Sequence, residues 1–192
     1  MGTDKLVLIA GSAGSLQVIL SVLMAMGREY PIPVLVVLHR NNLFESSLEE
    51  LMSIRTNLVI KEVEEKEPVL PGVVYLCPAD YHVLVEKDFT FSLDYSERVN
   101  YSRPSIDVTM RSAADVYGEG LIALLLSGGN ADGSDGMAYV QSKGGVTVAQ
   151  DPETAEVPYM PQQAILRMSV DLVVSTEELP GVMKGFGAAT GS

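Results

Sequence analysis

Short, unbroken apolar runs recur along the chain at Leu6–Ala10, Val34–Leu38, Leu58–Val63, Val73–Leu76, Leu121–Leu126, Val146–Ala149 and Leu172–Val174. Continuous Val/Leu/Ile runs of this length, rather than alternating ones, are what strands covered on both faces require. Between them the apolar positions shift to helical spacing. After Ser15 they fall at Ile19, Leu20, Leu23 and Met24; from Ser46 to Ile54 they fall at Leu48, Leu51 and Met52, with Glu45, Glu49 and Glu50 on the wet face. Ser105, just after Pro104, is placed to cap a helix that runs to about Tyr117. This rhythm predicts an α/β fold: a doubly wound, mostly parallel sheet with helices on both faces. One segment breaks it. Val83–Glu86 and Phe89–Leu93, split by Lys87 and Asp88, read as a short antiparallel hairpin, either a flap or an addition to the sheet edge.

The chain has 192 residues, enough for one domain with a sizeable core, taken as 1–187, followed by a tail at 188–192. The end from Gly185 onward is small and polar and is expected to fray. A formal charge of −12 argues against nucleic acid as a partner, because binding a polyanion rests on Lys and Arg neutralising phosphates. The single cysteine, Cys77, allows no internal disulfide and no cysteine-rich metal cage, which suits a reducing, cytoplasmic setting. The stretch Leu6 to Met26 is apolar, but Gly11, Ser12, Gly14, Ser15 and Gln17 interrupt it. Neither a signal peptide nor a membrane insertion is expected.

The candidate chemistry begins where the first run stops. Gly11-Ser12-Ala13-Gly14-Ser15 sets a serine hydroxyl at a strand-to-helix turn, where free N–H groups can receive negative charge. A serine needs a base to take its proton, and the base needs a third group to orient it. Of the two histidines, His39 directly follows the second run, at the end of a strand where ligands bind in open α/β sheets; His82 reads as a hydrogen-bonded loop residue. After the Leu121–Leu126 run comes Ser127-Gly128-Gly129-Asn130-Ala131-Asp132-Gly133-Ser134-Asp135-Gly136. Its backbone N–H groups suit an oxyanion, and Asp132 or Asp135 suits the orienting acid. The Asp/Asn/Gly density also resembles a calcium loop, but the closing glutamate is missing. The Gly-x-x-Gly spacing near Ser12 is not a dinucleotide fingerprint.

Taken with Gly72–His82, Arg103–Val108, Leu126–Gly133, Gly144–Asp151 and Met160-Pro161, these blocks resemble the catalytic domain of CheB-type protein-glutamate methylesterases over nearly the whole chain. The resemblance implies a serine hydrolase that needs no cofactor and no metal. It would act on methylated glutamyl side chains in a helical segment of a chemoreceptor-like protein, with deamidation of glutamine as a chemically close second activity. Carried over by position, Ser12 is the nucleophile, His39 the general base and Asp132, not Asp135, the acid. Ala13 and Gly129 are the backbone oxyanion donors, and Arg103, Asn130 and Met160 are substrate-cleft candidates. The family often has a receiver domain ahead of the esterase; here regulation is expected from a separate domain.

Several positions depart from the family pattern. Ser15 replaces a glycine and is a rival nucleophile, though it stands at the expected helix cap. Ser127-Gly128-Gly129-Asn130 replaces a more usual Thr-Gly-Met-Gly, Arg40-Asn41-Asn42 replaces Met-Pro after the histidine, and Gln162 replaces an arginine. These changes motivate an alternative, a catalytically silent domain that binds signalling partners. Arg103 and Asp107 are expected to pair at the start of a helix, Met160-Pro161 to shape the cleft wall, and Met24, Met26, Met110 and Met168 to pack in the core.

Overall fold

The computed structural model describes residues 4–40 and 48–189. Seven strands form one parallel sheet in the order β3-β4-β2-β1-β7-β8-β9. They are β1 (Leu6–Gly11), β2 (Val34–Leu38), β3 (Val59–Glu62), β4 (Val73–Leu76), β7 (Leu121–Leu125), β8 (Val146–Gln150) and β9 (Leu172–Val174). The apolar runs seen in the sequence are these strands. Successive side chains of β1 point to opposite faces, so each face receives its own core. Leu6, Leu8 and Ala10 meet α3 (Ile106–Tyr117), α4 (Ser134–Ser142) and α5 (Tyr159–Arg167) through Ile106, Met110, Met137, Val140 and Met160. Val7 and Ile9 meet α1 (Leu16–Met26), α2 (Leu48–Thr56) and α6 (Leu179–Ala188) through Ile19, Leu23, Met52 and Met183.

The chain leaves β1 toward β2 on one side and leaves β7 toward β8 on the other. The connections therefore diverge at the carboxyl ends of β1 and β7, where an open α/β sheet leaves a crevice. Ser12 follows β1, His39 follows β2, and the 127–133 loop follows β7, so all three candidate segments open onto this edge.

The hairpin is a flap, not an edge addition. β5 (His82–Val85) and β6 (Phe91–Asp94) form a separate two-stranded sheet that packs Val83, Val85 and Phe91 into the α3 face. Its turn is longer than two residues: Asp88 Oδ1 accepts from the Thr90 amide at 3.2 Å and hydroxyl at 2.6 Å, and Phe89 adopts φ 60°, outside the strand. The end of the chain also differs from expectation. Gly185–Ala188 complete α6, because Gly187 lies against Tyr30 and the Tyr30 hydroxyl donates to Met183 O at 2.9 Å. Met24 and Leu51 face outward, while Met26, Met52 and Met110 are buried. Residues 41–47, including Glu45 and the expected start of the second helix at Ser46, lie outside the described residues.

Candidate active site

Two loops are stitched together beneath the crevice. The Ser12 amide donates to Ser127 O at 2.9 Å, and the Ser127 hydroxyl donates to Ala13 O at 2.7 Å. The Ser127 amide in turn donates to Gln150 Oε1 at 2.9 Å, anchoring the loop on β8. Gly14 turns the chain at φ 79°, and a Cβ there would stand 2.8 Å from Ser127 Oγ and 2.7 Å from Glu156 Cβ. Only glycine suits this turn. The amides of Ala13 and Gly129 make no hydrogen bond among the described residues, and both residues are exposed. They are free to receive an anion.

β1 and β2 pair with Gly11 opposite Leu38, and the His39 amide donates to Gly11 O at 3.1 Å. Ser12 and His39 thus step off the same rung of the sheet, with backbones about 5 Å apart. No Ser12–His39 hydrogen bond is formed. His39 Nε2 lies 2.8 Å from Asp132 Oδ2. A carboxylate can only accept, so the neutral ring carries its proton on Nε2, and Nδ1 is left as the basic atom.

Asp132 is fully buried and accepts five hydrogen bonds: from His39, from the amides of Ile106 (2.7 Å) and Asp107 (3.1 Å), from Ser105 Oγ (3.1 Å) and from Asn100 Nδ2 (3.0 Å). The amides belong to the first turn of α3, whose dipole favours a negative charge. Burial alone would raise the carboxyl; the bonds from His39, Ile106, Asn100 and Asp107 outweigh it and hold the group below its ordinary value. Asp107 faces the opposite balance. Burial, and then the Asp132 charge, push it up to about 6, although it accepts from the amides of Gly133 (2.9 Å) and Gly136 (2.6 Å) and from Asn100 Nδ2 (2.7 Å). A carboxyl raised on folding takes up a proton between about pH 4 and 6 and subtracts from stability as pH rises through that window. Asp107→Asn is expected to flatten the pH dependence of thermal unfolding over this range, with the largest gain on the parent above pH 6.

The remaining candidates fall as follows. Ser15 is fully buried and its hydroxyl donates to Ser12 O at 2.6 Å, so it cannot attack a ligand. Asp135 pairs with Arg167 at 2.6 Å, away from His39. Asn130 turns its side chain back onto the Asp132 amide at 3.0 Å. Met160 is fully buried under Gly128, so it supports the floor of the site instead of lining the cleft. Arg103 does not pair with Asp107. It donates to Ser96 O at 2.9 Å, stacks on Tyr95 at 3.9 Å and lies near Asp80. His82 is held between Ser105 N, which donates to Nδ1 at 3.0 Å, and Glu97 O, which accepts from Nε2 at 2.8 Å. Sequence reasoning missed Asn100, Ser105 and Asp107 as the cradle of Asp132; the Pro104-Ser105-Ile106-Asp107 block signalled a helix start, and an unpaired helix start is an anion site.

A Cβ at Gly128 would come within 2.5 Å of Met160 Cε and 3.0 Å of Ser12 Cβ. Gly128→Ala is therefore expected to cost roughly 1–3 kcal/mol of stability by overpacking and to displace Ser12. Chemical denaturation and ester hydrolysis would check it, and Met160→Ala in the same background should recover part of the stability.

Comparison with known proteins bears on this constellation. The family model described as CheB methylesterase matches residues 7–183. The chain belongs to the CheB methylesterase family. A relative from Leptospira interrogans, provisionally named protein-glutamate methylesterase/protein-glutamine glutaminase, is 41% identical over 90% of this chain and 90% of its own length. A Thermotoga maritima protein named protein-glutamate methylesterase/protein-glutamine glutaminase is 33% identical over 93% of this chain and 53% of its own length. The crystal structure of the Thermotoga maritima CheB methylesterase catalytic domain superposes with a TM-score of 0.90, at 32% identity, covering 97% of this chain and 99% of that one. The CheB fold thus accounts for the parallel sheet, the helical layers and the hairpin alike.

Proposed function

We propose that this CheB-family chain is a protein-glutamate methylesterase that hydrolyses γ-methyl esters of glutamyl side chains through Ser12, His39 and Asp132. The observation that carries the reading is the 2.8 Å contact between His39 and a buried, ionised Asp132, one strand away from a serine on a strand-to-helix turn. Ser12 Oγ attacks the ester carbonyl carbon while His39 Nδ1 takes its proton. The Ala13 and Gly129 amides receive the oxyanion, a contribution on the order of 3 kcal/mol per donor. Collapse breaks the C–OCH3 bond; the methoxide leaves with the proton from His39 as methanol, and a glutamyl ester of Ser12 remains. Water, activated by the same nitrogen, then releases glutamate. Asp132 stabilises the imidazolium formed in both halves.

Glutamine deamidation, which the relatives' names include, proceeds through the same acyl-enzyme and releases ammonia. A poorer leaving group makes it the weaker activity. The substrate is a helical segment of a methylated chemoreceptor-like protein, met in the cytoplasm. Among the described residues no helix is long and apolar enough to cross a membrane. The silent-domain reading is not favoured, because the family match and the relatives' names point to a methylesterase, and the His39–Asp132 contact and the free Ala13 and Gly129 amides support that reading. Methanol release from methylated receptor membranes tests the proposal: release by the parent chain and none by Ser12→Ala is expected, whereas equal rates would end it.

A further inference from the structure

Beside His39 the crevice opens into a pocket lined by Arg40, Arg98, Tyr101, Ser102, Arg103 and Pro104. It encloses about 80 Å³, several times what a single water needs. Three arginines lining one small pocket are unexpected in a chain with a formal charge of −12. Their partners do not line it: Arg40 pairs with Glu62 through Nη2, Arg103 donates from Nη1 to Ser96 O at 2.9 Å and stacks on Tyr95, and Arg98 and Arg103 approach Asp80 at 3.6 and 3.9 Å. The Arg40 side chain is 9% exposed, yet its Nε and Nη1, like Nε of Arg103, are buried without a hydrogen-bond partner among the described residues. Buried unsatisfied donors on a cation cost free energy unless something completes them. These N–H groups are sealed from solvent, so an anion in the pocket does not bond them directly; it offsets the guanidinium charge that they leave under-compensated.

We propose that this pocket is a carboxylate-binding subsite that selects polypeptides carrying an acidic side chain close to the glutamyl ester. The inference rests on the proposed function for the identity of the ester but not for the anion. An unmodified polypeptide carries its negative charge as carboxylates, and an acidic chain repels more highly charged ligands over longer range. Arg40 and Arg103 are the more buried of the three, with side chains 9% and 12% exposed, and Arg98 is 59% exposed. The arginines act on binding, so the discrimination appears in KM more than in kcat, and salt weakens it.

The test measures binding to the Ser12→Ala protein, in which turnover plays no part. Two peptides are compared, each with one γ-methyl glutamyl residue, flanked on both sides by glutamates in one and by glutamines in the other. The glutamate peptide is expected to bind at least ~10-fold more tightly at low salt, with the preference reduced several-fold by Arg98→Gln and abolished by Arg40→Gln. Glutarate should compete with it more effectively than inorganic phosphate does. Arg98→Gln lies on the surface, so it remains informative if Arg40→Gln fails to fold. Equal affinities, a preference left undiminished by Arg98→Gln, no saturable binding of either peptide, or tighter competition by phosphate would each overturn the subsite. Failure of methanol release with the binding preference intact would instead count against the methylesterase reading alone.

Discussion

Ser12→Ala is expected to remain folded and to hydrolyse glutamyl methyl esters on the order of 10⁴-fold more slowly than the parent chain, or less. The loss is expected to be large because Ser15, the rival serine, cannot take over the role proposed for Ser12. Ser15, three residues on, is sealed by its bond to Ser12 O and by Gly11 packed against it, and cannot substitute. The fold survives because the Ser12 hydroxyl makes no hydrogen bond; the backbone amide holds the turn to Ser127 O. Thermal unfolding within roughly 0.5 kcal/mol of the parent, together with the lost rate, would separate chemistry from structure. A Ser15→Ala protein should keep its activity.

Asp132→Asn is expected to lower turnover by roughly 10³–10⁴-fold, because an amide at this position favours the wrong tautomer of His39 and no longer stabilises its charged form. This variant carries a second readout. Removing the charge takes away the second-largest of the causes that raise Asp107, after burial, so the Asp107 carboxyl should fall from about 6 toward the ordinary range. Asp132, held low in the folded state, contributes stability above its unfolded pKa that is lost as pH falls; Asp107, held high, works against stability as pH rises. Both dependences should shrink in Asp132→Asn, flattening the acid side of the stability profile. Carboxyl titration followed by NMR would report the Asp107 shift directly. An unchanged turnover would remove Asp132 from the reaction.

Much of this site was legible in the sequence because it is built from strand ends. Runs such as Leu6–Ala10 and Val34–Leu38 announce buried parallel strands, and the first residues after each run lie at the carboxyl edge, which places Ser12 and His39 there. The choice between Asp132 and Asp135 was open to spacing, because it depends on how the loop after β7 curls over α3. In the structure the Asp107 carboxylate binds the amides of Gly133 and Gly136, and this draws Asp132 inward while Asp135 faces Arg167.

The cradle of Asp132 was not legible. Asn100 reaches both carboxylates from a loop residue at φ 53°, and no local pattern signals that a polar residue there will meet groups 7 and 32 positions away. Arg103 beside Asp107 looked like a helix-start pair, but the two residues flank the turn and point apart, one to Tyr95 and Asp80, the other to the loop of α4. Phe89 read as a strand residue by hydrophobicity until the Asp88 side chain captured the turn. In each case a tertiary or side-chain bond overrode a local preference.

The most direct test is covalent labelling with a serine-directed phosphonate, mapped by mass spectrometry. The expected result is a single adduct on Ser12, lost in His39→Ala and strongly slowed in Asp132→Asn. Labelling on another serine, or a Ser12 adduct that forms at the same rate without His39, would contradict the assigned nucleophile and base.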